Sequence, residues 1–320
     1  MKNLLKKASR LLALLAGIWI INFSLLHFSP GDTTSRYWSP QVNKEALQSM
    51  RAQKGLDQPY HRQLFFWTKR LLQGDLGYSW TYHRPVTEIL KEAIPATFQL
   101  AGVALLINFI LGSLLGVLAA LLASRKTGMF LDASSLILYA TPSFWLALLA
   151  IFIFSLKLQW LPSSGMQSLF LSNDDSWHRF LDRFAHIVLP ASVLGLTGAV
   201  ATMRYVRGQM VDILQQPYIL MARAKGLSNA KVIFKHAFRN ALLPVITQFG
   251  LYAPFLLGGA FVIEVIFAWP GMGRVTYAAI FARDYPVILA ANFLTACMVI
   301  AGNLIADILY KFADPRMRLP

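Results

Sequence analysis

The polar residues that interrupt the apolar runs of this sequence decide what chemistry it can do. Glu264, Asp307, Asn108, Asn292 and Asn303 each stand within or at the end of a long apolar stretch. Polar groups in such stretches are costly in lipid, and they gate pathways, line them or join helices. For Glu264, near the end of its stretch, gating or helix pairing competes with solvation at the membrane interface. Asp307 lies close to a basic terminus, so a salt bridge is its favoured reading. Asn108 and Asn292 read as hydrogen-bonding glue between helices rather than as substrate ligands. None of these groups forms the ordered series that a proton relay requires.

Catalytic patterns are missing from the sequence. No Gly-x-x-x-x-Gly-Lys-Ser/Thr occurs, and Lys126-Thr127 lacks the glycines that would precede it. Without that phosphate cradle the chain is not expected to hydrolyse ATP. Neither His-Glu-x-x-His nor a Gly-x-Ser-x-Gly elbow is found, so no catalytic residue is assigned. One cysteine, Cys297, excludes disulfides and thiolate metal clusters within the chain. It reads as a small apolar residue in a span, and neither a metal nor a bound cofactor is expected.

A second candidate lies in a basic segment. Between Arg204 and Asn240 stand Arg204, Arg207, Arg223, Lys225, Lys231, Lys235 and Arg239 against one acid, Asp212. Within it, Leu220-Met221-Ala222-Arg223-Ala224-Lys225-Gly226-Leu227 favours a short helix. Pro217 suits its first turn and Gly226 its C-terminal cap. A short rigid helix between two spans can transmit force to a partner. Ala222 and Ala224 would allow close approach, and Arg223 and Lys225 would supply polar contacts. The alternative is a basic helix resting on anionic lipid.

The elements that must position these residues are membrane spans. The 320 residues are 56% hydrophobic and 14% charged, with a mean hydropathy of +0.50, far short of the solvating surface of a soluble domain. A formal charge of +15 invites a nucleic-acid reading, but many of the Lys and Arg flank apolar runs, as topology signals do. The spacing predicts six transmembrane helices at about 11–28, 96–123, 130–156, 186–203, 242–267 and 286–310, each near or above the roughly 20 residues a span needs. Lys2, Lys6, Lys7 and Arg10 precede the first, which is read as uncleaved with its N-terminus in the cytoplasm. The chain closes on Lys311, Arg316 and Arg318, placing both termini and the 204–243 loop on that side. Residues 1–30 form a tail and first helix, 31–95 a large outer loop, and 96–320 a five-helix core. Leu64, Phe65, Trp67, Leu71 and Leu72 recur at helical spacing, which predicts an amphipathic helix on the outer membrane surface. Pro142 should kink the third span, and Gly112 with Gly116 should let helices pack closely, within the subunit or against a partner.

Tyr218 to Pro244 resembles the cytoplasmic loop of binding-protein-dependent ABC importer permeases of the dipeptide, oligopeptide and nickel branch. The residues that carry the resemblance are Tyr218-Ile219, Ala222 to Ser228, His236-Ala237-Phe238-Arg239-Asn240-Ala241 and Leu242-Leu243-Pro244. Leu220 stands where other ABC importers carry the glutamate that names this loop, a departure typical of the peptide branch. Other family motifs follow in order along nearly the whole chain. They include Pro30-Gly31-Asp32, Gly55-Leu56-Asp57-Gln58-Pro59, Gly74-Asp75-Leu76-Gly77-Tyr78-Ser79, Pro95-Ala96-Thr97 and Thr141-Pro142-Ser143-Phe144-Trp145. The run from Glu264 to Arg274, Ala282-Arg283-Asp284-Tyr285-Pro286 and Asp314-Pro315-Arg316 complete them.

The resemblance implies an all-α, type I importer-like permease of the bacterial inner membrane. Its partners would be a second, homologous permease subunit, two cytoplasmic ATP-binding subunits that hold the ATP and Mg, and an external solute-binding protein. Tyr218, Ala222, Arg223, Ala224, Lys225, Gly226 and Leu227 would form the ATPase-coupling loop. The implied cargo is a peptide or a related small solute such as a nickel chelate. The rivals are a similar ABC system for polyamine export or antimicrobial-peptide resistance, and a membrane-anchored assembly or sensory subunit with no conduction path.

Overall fold

The computed structural model describes residues 2–30, 55, 57–123, 125–168, 176–241 and 260–313. Among these the secondary structure is helical apart from one isolated bridge, Tyr78 with Pro85. In chain order the elements are α1 (Lys2–Phe28), α2 (Tyr60–Leu72), α3 (Val86–Leu121), α4 (Lys126–Ala140) and α5 (Ser143–Ala150), which continues as a π-helix (Ile151–Lys157). Then come α6 (Ser176–Leu214), α7 (Pro217–Ala224) and α8 (Asn229–Lys231), which runs on as a second π-helix (Val232–Phe238). The last are α9 (Phe261–Ile266), α10 (Met272–Ala282) and α11 (Tyr285–Ala313).

Among the described residues four helices are long and apolar enough to cross a membrane, over Ser9–Phe28, Val86–Leu121, Ser176–Leu214 and Tyr285–Ile305. The expected third span is not one kinked helix. It is two, Lys126–Ala140 and Ser143–Lys157, bent by 100°. The cause is local: Pro142 disfavours helical geometry in the residue before it, and Thr141 is extended at φ −80°, ψ 128°. Most of the expected fifth span, 242–259, lies outside the described residues, and α9 is its last part.

Two further boundaries depart from the hydropathy reading. Helix α3 starts ten residues before the apolar run, with Pro95 inside it, so the end of the supposed outer loop is already helical. Helix α6 extends the fourth span in both directions to 39 residues, roughly 58 Å long. Its flanks are too polar for a hydropathy window yet have good helix formers. Helix α10 went unread because its eleven residues follow Trp269-Pro270-Gly271, a turn signal.

The chain divides into two compact units. The first comprises Met1–Pro95 and Gly271–Ile300. Val86, Ile89, Leu90 and Ala93 from the start of α3 pack here against Met272 and Ala279 of α10 and Val287, Ile288, Ala290 and Ala291 of α11. Leu64, Trp67 and Leu71 of α2 pack beside Trp19 and Phe23 of α1, and Trp19 Nε1 donates to Thr68 Oγ1 at 2.9 Å. The opposite side of α2 exposes Phe65, Phe66 and Leu72. A tight turn brings Val86 N to Gly77 O at 3.0 Å. Asp284, fully buried, fastens that turn, accepting from Ser79 Oγ at 2.5 Å and from Thr81 N at 2.9 Å on one carboxylate oxygen.

The second unit comprises Ala96–Pro270 and Ala301–Pro320. Its centre is the crossing of α3 with α6, built from glycines on both helices. A Cβ on Gly112 would fall 2.8 Å from Ala199 O, and one on Gly116 2.7 Å from Met203 O. From the other side, a Cβ on Gly195 would meet Ile107 Cβ at 2.6 Å, and one on Gly198 Asn108 Nδ2 at 2.5 Å. Such contact fits helices in lipid, where packing rather than water release holds them together. Gly112 and Gly116 thus pack within the subunit. Arg207 of α6 pairs with Asp132 of α4 at 2.8 Å.

Candidate functional site: a capped helix in the basic loop

Helix α7 begins where Pro217 takes the first helical position, its missing N–H costing nothing there. It ends in a full Schellman cap. Gly226, at φ +76°, donates its N–H to Arg223 O at 2.9 Å, and Leu227 N–H donates to Ala222 O at 3.4 Å. These bonds satisfy carbonyls that a free helix end would leave open. Leu227 packs against the cluster that holds Ala222, the apolar contact that accompanies such caps.

One stripe of α7 faces inward. Ile219 is fully buried and Ala222 nearly so, against Val206 and Met210 of α6, Val117 and Ala120 of α3, and Val232 and Ala237 of the π-helix. This revises the expected use of Ala222. Its small side chain permits close packing inside the unit and is not presented to a partner. Ala224 is exposed. Around it lie Leu220, Met221, Arg223 and Lys225, all exposed, so the outward face mixes two large apolar side chains with two cations. Tyr218 is half exposed, and its hydroxyl accepts from Asn240 Nδ2 at 2.9 Å, tying the start of α7 to the segment that follows the π-helix. The helix is therefore clamped at both ends and along one side.

The polar residues predicted inside spans are not at this site. Glu264 is 1% exposed, and its Oε1 accepts from Thr97 Oγ1 at 2.8 Å, joining α9 to α3. That burial removes the interfacial-solvation reading. Beside it, Trp269 Nε1 donates to Ala96 O at 2.8 Å. Asn108, also 1% exposed, accepts from Thr202 Oγ1 of α6 at 2.7 Å across the glycine crossing. Its Nδ2 has no hydrogen-bond partner among the described residues and lies against Gly198. In the first unit Asn292 Nδ2 donates to Asn22 Oδ1 at 3.1 Å, linking α11 to α1. Asn303 is exposed, and the side chain of Asp307 lies outside the described residues. Cys297 is a free, half-buried thiol on α11. Sequence reasoning placed Thr97 and Asp284 in motifs without giving them a role and missed Thr202, each an ordinary residue type until its buried partner is known.

Comparisons with known proteins bear on the family and the fold. Residues 112–319 match the family described as "Binding-protein-dependent transport system inner membrane component". The oligopeptide transport system permease protein AppB of Bacillus subtilis (strain 168) is 38% identical over 305 residues, 95% of each chain. The di/tripeptide transport system permease protein DppB of Pseudomonas aeruginosa (strain UCBPP-PA14) is 40% identical over 324 residues, 94% of each chain. Among solved structures, a chain of the MetNI methionine ABC transporter in an inward-facing conformation superposes with a TM-score of 0.52 at 18% identity. That match covers 70% of this chain and 97% of the other, and it establishes the fold.

Proposed function

Because the chain belongs to the binding-protein-dependent transport system inner membrane component family, we propose that it is one of two permease subunits of an ATP-driven peptide importer and that α7 is its contact with an ATPase. Full-length similarity to peptide permeases supports the cargo class. Nickel chelates and export have no comparable support. The single observation that carries the coupling role is the capped α7, anchored by Ile219 and Ala222 and exposing Leu220, Met221, Arg223 and Lys225.

In this reading the basic 204–243 segment and both termini lie in the cytoplasm, by the positive-inside rule. Two ATPase subunits close on ATP, and one pulls on the exposed face of α7. Because α7 packs on α6 and α3, the pull would move those helices as a body rather than bend the loop. The paired motion of a second permease subunit would open the pathway alternately to each side, and a solute-binding protein would deliver the peptide from outside. The hydrolytic chemistry belongs to the ATPases.

Reconstitution of the full complex in proteoliposomes tests the reading. It requires inward uptake of a labelled di- or tripeptide, with ATP hydrolysis stimulated by the loaded binding protein. Outward movement, or hydrolysis unaffected by any peptide, would overturn it.

A further inference from the structure

Within the second unit, the N-terminal third of α6 walls a cavity of about 430 Å³, in the size range of small-ligand sites. Trp269, fixed by its bond to Ala96 O, and Ile187 line its apolar part, and Phe180 and Phe184 stand one turn apart on its wall. Arg179 and Arg183 also line it, again one turn apart, and Gln99 of α3 adds an amide.

Two guanidiniums at i and i+4 repel each other unless an anion lies between them. Among the described residues, no carboxylate lies in salt-bridge contact with either one. Among the described residues Arg179 donates to Ser176 Oγ at 3.3 Å and Arg183 to Gln167 Oε1 at 3.4 Å, both long contacts to neutral groups. Asp182, on the same helix, feels the charge of Arg183, but its two oxygens are held by other groups: they accept from Ser168 N at 2.8 Å and Ser168 Oγ at 2.5 Å, with His186 Nδ1 at 3.5 Å. The cavity therefore presents two guanidiniums, held only by long contacts to neutral groups among the described residues, beside an aromatic and aliphatic wall.

We propose that this cavity binds the C-terminal carboxylate of a transported peptide, with the last side chain lodged against Phe180, Phe184 and Trp269. Guanidinium pairs bind carboxylates by charge-assisted hydrogen bonds, and aromatic walls favour an apolar terminal residue. The inference rests on the peptide-import reading above. An anionic lipid headgroup shares the same chemistry, and the test separates the two.

The complete complex is placed in nanodiscs of phosphatidylcholine alone. Binding of fluorescent Ala-Ala-Phe and of its C-terminal amide is measured without ATP, and uptake is measured in parallel. Wild type should bind the free acid at least about tenfold more tightly than the amide, one charge-assisted contact's worth. Arg179→Gln with Arg183→Gln should abolish that preference while leaving amide binding and complex assembly intact. The Arg→Lys pair should restore part of it. Equal binding of acid and amide by wild type, in a complex that still imports peptide, overturns the cavity assignment and spares the import reading. Absence of peptide binding and uptake together sinks both. If the arginine variants instead lose only co-purifying phosphatidylglycerol, in nanodiscs that contain it, and keep the acid preference, the site is a lipid site and the proposal is overturned.

Discussion

Gly226 offers a perturbation whose magnitude follows from the backbone alone. It sits at φ +76°, and no atom lies within 4 Å of where a Cβ would be. Gly226→Ala therefore introduces no clash; its cost is the left-handed backbone, roughly 1–2 kcal/mol. A penalty of that size lowers the capped population relative to frayed forms by a factor of about 5–30. The Schellman bonds to Arg223 O and Ala222 O are the ones released, so α7 loses its end clamp while the α3–α6 crossing is untouched. The expected order for coupled transport is Gly, then Asn, then Ala, then Val, because asparagine tolerates the left-handed region and a β-branched residue suits it least. Gly74 provides a matched control: its φ is +77°, and its added Cβ also meets nothing. Gly74→Ala carries the same strain at the end of α2, in the other unit. The assay is peptide uptake per ATP hydrolysed in proteoliposomes, with thermal unfolding of both variants. The reasoning requires similar small losses of stability but a loss of coupling only at Gly226. Equal coupling in both variants, or Val tolerated as well as Asn, would refute it.

Other perturbations have separate signatures. Gly116→Val should weaken the α3–α6 crossing by about 1–3 kcal/mol, at the upper end because the obstacle is Met203 backbone, read as a lower unfolding temperature in detergent. Thr97→Val removes a donor from buried Glu264 and should cost about 1–3 kcal/mol, whereas Thr97→Ser should be near neutral; equal stability of the two would exclude a role for that hydroxyl. Arg70 and then the Gly77 amide hold the Asp75 carboxyl below its usual range. The stabilisation is therefore present above the unfolded value and lost as pH falls through the lower folded one, below about pH 4. Both side chains are about half exposed, at 46% and 51%, so Asp75→Asn should cost under about 1 kcal/mol at pH 7 and progressively less as the pH falls below about 4.

The sequence made the helical membrane character legible because lipid demands long apolar runs, and it made α7 legible because Pro217 and Gly226 act through local backbone chemistry. What it could not reveal depends on partners distant in the chain. Ala222 and Ala224 are the same residue type two positions apart, and only the packing of α7 on α6 decides that the first is buried and the second exposed. Glu264 could be placed near a span's end but not against Thr97, 167 residues away. Polar flanks hid the true lengths of α3 and α6, since hydropathy registers what contacts lipid, not where hydrogen bonding ends. Arg179 and Arg183 read as part of an outer loop until α6 was seen to begin at Ser176 and set them one turn apart on a cavity wall.

The central claim is that the outward face of α7 meets the ATPase. Cys297 is the sole cysteine, so Cys297→Ser followed by Met221→Cys gives a chain with one thiol at that face. Cross-linking of this thiol, within the assembled complex, to the ATPase subunits should succeed and should vary in yield with bound nucleotide. The same chain carrying Phe65→Cys on α2 should give no such product. Failure at position 221, or equal cross-linking from position 65, would contradict the account.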